Sequence, residues 1–290
     1  MTGETEMTGR PGVVIVTGAA RGIGRAIAIG LADSGMQVVA LCRPRGASPR
    51  SSELSPGGDV PSADDLPTGD NLLRVDGDVR SAEDCERAVA AAFDRFSGLD
   101  AVVNNAALAH DRFPGFHSSE FADVDDGLWR QLFDVNVNGV YQMTKAVVPA
   151  LRRRGWGRIV NLSTSMASML SPGVLPYGPS KAAVMAMTAG WAAHFRGTGI
   201  TVNELLPGGP TGPRVASKHW WPDDQPVWPA EIMVPPLRWL LSPESDGVTG
   251  HRFIARLWDA TLPAARAAAG AGHPTGWTVP EVEIAQRPKA

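Results

Sequence analysis

The sequence predicts an α/β fold, a doubly wound parallel sheet with helices on both faces, from three observations. Short, continuous apolar runs such as Val13-Val14-Ile15-Val16 have the pattern of strands buried on both sides. Stretches with helical spacing of apolar residues separate them. The two patterns alternate at regular intervals, as expected of parallel strands joined by crossover helices.

The first run ends at Thr17-Gly18, and residues 22–34 follow with Ile23, Ile27 and Leu31 on one helical face and a stop at Gly35. Residues 37–42 form a second apolar strand, completing a βαβ opening. Residues 44–71 break the rhythm: they are rich in Ser, Pro, Gly and Asp without a helical period, which predicts a mobile surface insertion. Strands are then predicted at 72–76, 101–104, 158–162, 201–206 and 252–254, with helices at 82–96, 126–153 and 177–196 and a late one around Leu237, Leu240 and Leu241. Residues 1–10 read as a flexible tail and 11–258 as a single domain. The Ala- and Pro-rich residues 259–290 show no period and read as a tail, either extended or docked on another subunit.

Composition narrows the class. A chain of 290 residues, 43% hydrophobic, is long enough for one large domain with a sizeable core. A net charge of −3 without a basic block argues against a nucleic-acid partner. Cys42 and Cys85 cannot build a disulfide framework, show no metal-ligand spacing and read as buried or incidental, so no metal is expected. The N-terminal residues are polar, without an apolar signal segment, and no run approaches the roughly 20 apolar residues of a membrane span. The expectation is a soluble cytoplasmic protein.

The residues that carry chemistry begin at the first strand-to-helix turn, Thr17-Gly18-Ala19-Ala20-Arg21-Gly22-Ile23-Gly24. Gly18 permits a tight turn, and Gly22 and Gly24 remove side chains where backbone must approach a pyrophosphate and the sheet. The helix that opens at Gly22-Ile23 presents its free N–H groups to phosphate. A strand before and a helix after place this loop in the context of a Rossmann-type dinucleotide site. Downstream, Tyr177-Gly178-Pro179-Ser180-Lys181 puts a phenol and an ammonium four residues apart, on one face of a helix. A free phenol titrates near ~10, and a neighbouring ammonium lowers that value. Such a phenol can protonate a carbonyl oxygen or deprotonate an alcohol.

With these motifs, the chain over residues 11–258 resembles the short-chain dehydrogenase/reductase family, whose glycine loop has the spacing T-G-x-x-x-G-x-G and whose helix carries Y-x-x-x-K. The resemblance implies further roles. Asn104-Asn105-Ala106-Ala107 is similar to the family's N-N-A-G, which supports the adenosine side of the cofactor, so Asn104 and Ala106 are candidates there. Asp78-Val79 resembles the family's acidic residue and its neighbour, which contact the adenine ring; from the residues alone, Asp78 reads equally well as a helix cap before Ser81. Asn136, in Asp134-Val135-Asn136-Val137-Asn138, matches an asparagine that bends its helix and holds a water in a proton relay, whereas Asn138 reads as solvated. Counting thirteen residues back from Tyr177 gives Thr164 as the hydroxyl that stabilises the substrate oxygen, where the family has serine, with Ser165 the competing choice. Pro207-Gly208-Gly209-Pro210-Thr211 resembles the family's P-G stretch beside the nicotinamide, making Pro207 and Gly208 cofactor candidates.

Cofactor type is read at the end of the second strand, where an acid on the ribose hydroxyls marks preference for NAD. That position is Cys42, followed by Arg43, and Arg21 lies in the glycine loop. Two guanidiniums suit a 2′-phosphate, which predicts NADP(H) as the preferred cofactor and leaves NAD(H) open.

The resemblance makes residues 212–236, with Trp220, Trp221 and Trp228, a substrate lid; the tryptophans read as an apolar wall or as packing of that segment. Phe113, Phe116 and His117 are candidates for the opposite wall. The expected partners are a small carbonyl or secondary alcohol substrate and, by resemblance, a second copy of the chain in a dimer or tetramer, with neither nucleic acid nor membrane. The reaction implied is hydride transfer with Tyr177 as general acid and base. The other readings are a non-redox dehydratase or epimerase using the same tyrosine and a silent cofactor-binding sensor.

Overall fold

The structure, a computed structural model, describes residues 12–44, 66–108, 121–171, 174–212 and 226–276. Its framework is one eight-stranded sheet. The strands are β1 (Val13–Thr17), β2 (Gln37–Cys42), β3 (Leu72–Asp76), β4 (Ala101–Asn104), β5 (Gly157–Leu162), β6 (Ile200–Leu206), β7 (His251–Ile254) and β8 (Gly272–Pro274). Their order in the sheet is β3-β2-β1-β4-β5-β6-β7-β8, parallel from β3 to β7 with only β8 antiparallel. The order reverses between β1 and β4, and the crevice at the carboxyl ends of strands at such a reversal is where open α/β sheets hold ligands.

The pleat explains why the apolar runs are continuous. Val13 and Ile15 point to one face, against Cys85, Met143 and Val147. Val14 and Val16 point to the other, against Ile27, Leu31, Leu237 and Phe253. The helices supply these layers: α1 (Gly22–Asp33), α2 (Ala82–Phe96), α3 (Asp126–Phe133), α4 (Gly139–Arg154), the short α5 (Met166–Met169), α6 (Tyr177–His194), α7 (Val234–Leu240) and α8 (Ala264–Ala271). Each fully buried Val, Ile or Leu in these layers contributes about 1.5–3 kcal/mol. No helix among the described residues is long and apolar enough to cross a membrane.

Two local departures from regularity position the site. The helix expected over 126–153 is interrupted by a π turn, Asp134–Asn138, which carries the buried Asn136 inward. At the C-terminus, the tail expected to lack a period instead forms α8 and β8 on the sheet. Its period was invisible because alanine, the best helix former, occupies both its faces: Ala267, Ala268 and Ala271 are buried and their neighbours exposed. β8 then pairs with β7 in the register Arg252↔His273. Residues 45–65 of the expected insertion, the N-terminal residues 1–11 and residues 277–290 lie outside the described residues.

Candidate active site

The glycine loop joins β1 to α1 under tight steric control. Gly18 has φ +67°, and a Cβ there would lie 2.8 Å from the Ala106 backbone. A Cβ on Gly24 would lie 2.3 Å from Asn105 Nδ2 and 2.4 Å from Gly18 O. Gly22 differs: its φ is +57°, but a Cβ would meet nothing within 4 Å, so the requirement there is conformational and the space beside it is open. Arg21 is the N-cap of α1 and its side chain makes no capping bond to the first turn, which contains the half-buried Ile23.

The loop after β4 is bonded directly onto this turn. Asn105 Nδ2 donates to Thr17 O at 2.8 Å and to Gly18 O at 3.3 Å. Thr17 Oγ1 accepts from the N–H groups of Asn105 and Ala106, both at 3.0 Å. Ala106, one of the two residues expected on the adenosine side, is thus tied to the glycine loop; Asn104 is the other. Its side chain is turned into the sheet's helical layer, donating to Thr144 Oγ1 at 3.0 Å and Asn161 Oδ1 at 2.8 Å. Period-two alternation at the end of β4 was the signal that separates the two asparagines.

At the neighbouring strand ends, Cys42 closes β2 in a buried position, and burial pushes its thiol up to about 11. Arg43 follows, half-buried. Asp78 is not the cap of α2; Ser81 is, its Oγ accepting from Asp84 N at 3.2 Å. The Asp78 carboxylate is instead gripped by Arg80, with Nε–Oδ1 at 3.0 Å and Nη2–Oδ2 at 2.7 Å. Burial alone would raise this carboxyl, but the Arg80 guanidinium outweighs it, Arg43 adds to the effect, and the group is held below its ordinary value. Val79 is a core side chain, packed where a Cβ on Gly139 would collide with it.

Three of the expected residues converge at the start of α6. Tyr177 opens the helix and Lys181 follows one turn later, buried, with Nζ donating to Leu162 O at 2.9 Å and lying 5.9 Å from the Tyr177 ring centroid. Burial lowers the Lys181 ammonium to about 8, opposed by the negative charge of Glu204. Asn136 accepts from Leu108 N at 2.7 Å and donates to Leu108 O and to Ser180 Oγ, both at 3.0 Å. Ser180 in turn donates to the Tyr177 carbonyl at 2.7 Å, linking Asn136 to the first turn of α6. Asn138 is exposed and bonded to Asp134 at 3.0 Å.

The two competing hydroxyls are placed differently. Ser165 caps α5, accepting from Ser168 N at 3.1 Å and sharing a hydrogen with Ser168 Oγ at 2.9 Å. The Thr164 hydroxyl makes no hydrogen bond among the described residues, while its carbonyl accepts from Arg252. The Pro207 carbonyl accepts from Arg256 N at 3.0 Å, and Gly208 has φ +90° with Ile254 packed where a Cβ would go. Trp228 exchanges backbone bonds with this stretch, to Pro210 O and from Gly212 N at 2.8 Å each, and its indole lies against Gly209. Trp228 therefore packs the 207–212 segment. Trp220, Trp221, Phe113, Phe116 and His117 lie outside the described residues. Among the described residues, no group of three or more His, Cys, Asp or Glu side chains is placed to hold a metal ion.

In both sequence and fold the chain is similar to known proteins. The chain is 32% identical over 196 residues to a 3-oxoacyl-[acyl-carrier-protein] reductase of Synechocystis, covering 68% of this chain and 73% of that protein. It is 33% identical over 219 residues to a fluoren-9-ol dehydrogenase of Terrabacter, covering 70% of this chain and 57% of that protein. Its fold resembles the crystal structure of a 3-ketoacyl-(acyl-carrier-protein) reductase from Brucella melitensis complexed with NADH, with a TM-score of 0.67 at 24% identity over 83% of this chain and 94% of that one. The short chain dehydrogenase family model matches residues 12–220, a span that runs from the glycine loop through Tyr177 and Lys181 to the stretch after β6. With the fold, the relatives and the family model in agreement, the chain belongs to the short-chain dehydrogenase/reductase family of oxidoreductases.

Proposed function

We propose that this protein is an NADP(H)-dependent oxidoreductase acting on a carbonyl or secondary alcohol, with Tyr177 as general acid and base. The observation that carries the reading is the Lys181 ammonium, buried beside the Tyr177 ring and anchored on Leu162 O. A cation held there favours the phenolate, so the Tyr177 oxygen gains and releases a proton nearer neutral pH than a free phenol does. The Thr164 hydroxyl donates to the substrate oxygen, and Asn136 anchors the turn from which Tyr177 projects through Ser180. Ser165, engaged as a helix cap, stays out of the reaction.

The residues present fit a nicotinamide dinucleotide. Gly18 and Gly24 leave no room for side chains, Gly22 adjoins open space, and α1 lacks a side-chain cap, a donor set suited to a pyrophosphate. Gly18, Arg21, Gly22, Ile23 and Gly24 would hold that group, Ala106, Asp78 and the main chain of Asn104 and Val79, whose side chains pack inward, would border the adenosine, and Pro207 and Gly208 would border the nicotinamide. When bound, the nicotinamide supplies or accepts the hydride. NADP(H) is favoured because β2 ends in Cys42 rather than an acid and Arg43 follows, with Arg21 across the loop. The substrate is a small molecule, the chain works in the cytoplasm, and copies associate as a dimer or tetramer.

The test is oxidation of NADPH, and separately of NADH, across a panel of carbonyl compounds, with Tyr177→Phe as control. Turnover is expected with NADPH and is expected to fall at least about 10²-fold in the variant. Near wild-type turnover in the variant removes the mechanism, and a strong preference for NADH removes the role of the arginines.

A further inference from the structure

The strand register sets a row of polar side chains across the middle of the sheet. Asn104 is beside Asn161, Asn161 beside Glu204, and Glu204 beside Arg252, on four adjacent parallel strands. All four are buried and turn toward the helical layer of α4 and α6: Asn161 donates to Thr188 Oγ1 at 2.9 Å, and Arg252 Nη1 lies 3.9 Å from Met185 Sδ. The asparagines pair amide with amide and hydroxyl, leaving Asn104 Oδ1 without a hydrogen bond. Glu204 and Arg252 are a different matter, because charges buried in a sheet cost more than apolar side chains of the same size, and replacing such a pair by well-packed hydrophobes is often neutral or stabilising. A purely structural account therefore leaves them unexplained.

Their partners point to a purpose. Glu204 Oε1 accepts from Ser163 Oγ, and Oε2 accepts from Thr275 Oγ1 at 2.8 Å. Arg252 Nε lies 3.7 Å from Glu204 Oε1 and makes no hydrogen bond of its own, while Nη2 donates to Thr164 O. Thus the pair grips the Ser163 hydroxyl and the Thr164 carbonyl, on the segment that leaves β5 and carries the substrate-binding hydroxyl. We propose that Glu204 and Arg252 are positioning residues of the acid–base site, Glu204 supplying the counter-charge that keeps the buried Lys181 ammonium in place and Arg252 fixing the Thr164 segment beside it. The proposal rests on the reading of Tyr177 and Lys181 as the acid–base pair.

Among the described residues, the groups facing this pair are few. α6 contributes Tyr177 and Lys181, β6 contributes Glu204 and β7 contributes Arg252. β5 presents the Leu162 carbonyl and the Ser163 hydroxyl, the segment after β8 presents Thr275, and His273 is exposed opposite Arg252. Lys181 is lowered by burial and raised by Glu204, so removing the carboxylate lets the ammonium shed its proton earlier. Tyr177 then loses the cation that favours its phenolate.

The chain offers a direct readout, because it contains only two tyrosines, Tyr141 and Tyr177, and Tyr141 is exposed on α4. In a Tyr141→Phe background the near-ultraviolet absorbance change of phenolate formation belongs to Tyr177 alone. The full chain, without added cofactor or substrate, is titrated with and without Glu204→Gln. Loss of a nearby carboxylate acting directly on the phenol would ease its ionisation, whereas action through Lys181 makes it harder. The expected result is that Tyr177 ionises about one pH unit higher in Glu204→Gln. An unchanged or lower midpoint overturns the proposal. If circular dichroism shows that Glu204→Gln does not fold, the pair variant Glu204→Gln/Arg252→Met, which leaves no lone charge, is titrated instead with the same rise expected and the same results overturning it. Because the titration needs no turnover, its failure is distinct from failure of the oxidoreductase reading, which the Tyr177→Phe assay decides separately.

Discussion

Replacing Lys181 with methionine keeps an unbranched side chain of similar length and removes one buried charge. In the folded protein burial holds this ammonium down to about 8, against 10.5 for a free lysine. At about 1.4 kcal/mol per pH unit, that gap corresponds to about 3 kcal/mol. The sign follows from proton counting. Below about 8 the lysine is protonated in both folded and unfolded chains, and the folded state bears the full cost of the buried charge. Between about 8 and 10.5 the unfolded chain binds more protons than the folded one, so stability rises with pH across that window. Above it neither state is charged and the rise stops. The assay is urea unfolding of wild type and Lys181→Met at a series of pH values from neutral to alkaline, with the difference between the two proteins plotted. Subtraction cancels the other titrating groups, and the difference should climb by about 3 kcal/mol in favour of the wild type. Meanwhile turnover in the variant should fall by about 10²-fold or more at every pH. A flat difference curve would refute the claim that Lys181 is buried as a costly ammonium, and with it the account of how Tyr177 is tuned.

Two further predictions follow from the loops. Gly24→Ala puts a methyl 2.3 Å from the Asn105 amide and 2.4 Å from Gly18 O, so it should lower the melting temperature and weaken NADPH binding at least about tenfold by fluorescence titration. Gly22→Ala meets no atoms and should cost only about 1–2 kcal/mol of left-handed backbone strain; equal behaviour of the two variants would count against the packed-turn account. Thr164→Val should reduce kcat about 10²-fold with little change in melting temperature, whereas Ser165→Ala should cost about 1 kcal/mol of stability through the lost cap of α5 and leave kcat nearly intact. The reverse pattern would transfer the substrate hydroxyl to Ser165.

Much of the fold was legible because it is local. The apolar runs, the helical periods and the turn at Gly18–Gly24 announce themselves within a few residues, and Tyr177 with Lys181 needs only the pitch of a helix to be brought together. Features that depend on strand neighbours could not be read this way. Glu204 and Arg252 are 48 positions apart and meet only because β6 and β7 are adjacent and in register. Asn104 and Asn105 differ by a single step of pleat, which decides between the helical layer and the glycine loop. The C-terminal helix was missed because a run of alanines shows no contrast between its buried and exposed faces, and contrast is what a periodicity argument measures.

The two outer strands of the sheet bear on how copies of this chain can meet. β8 is three residues long and ends on Pro274, which offers no N–H to a new neighbour. At the far side, β3 places Arg74 and Asp76 along its rim, joined to each other at 2.8 Å. Among the described residues, then, neither border invites another strand, and the sheet is finished at eight. At these two borders, growth by open-ended strand addition, the route that leads to fibres rather than closed assemblies, is thereby disfavoured.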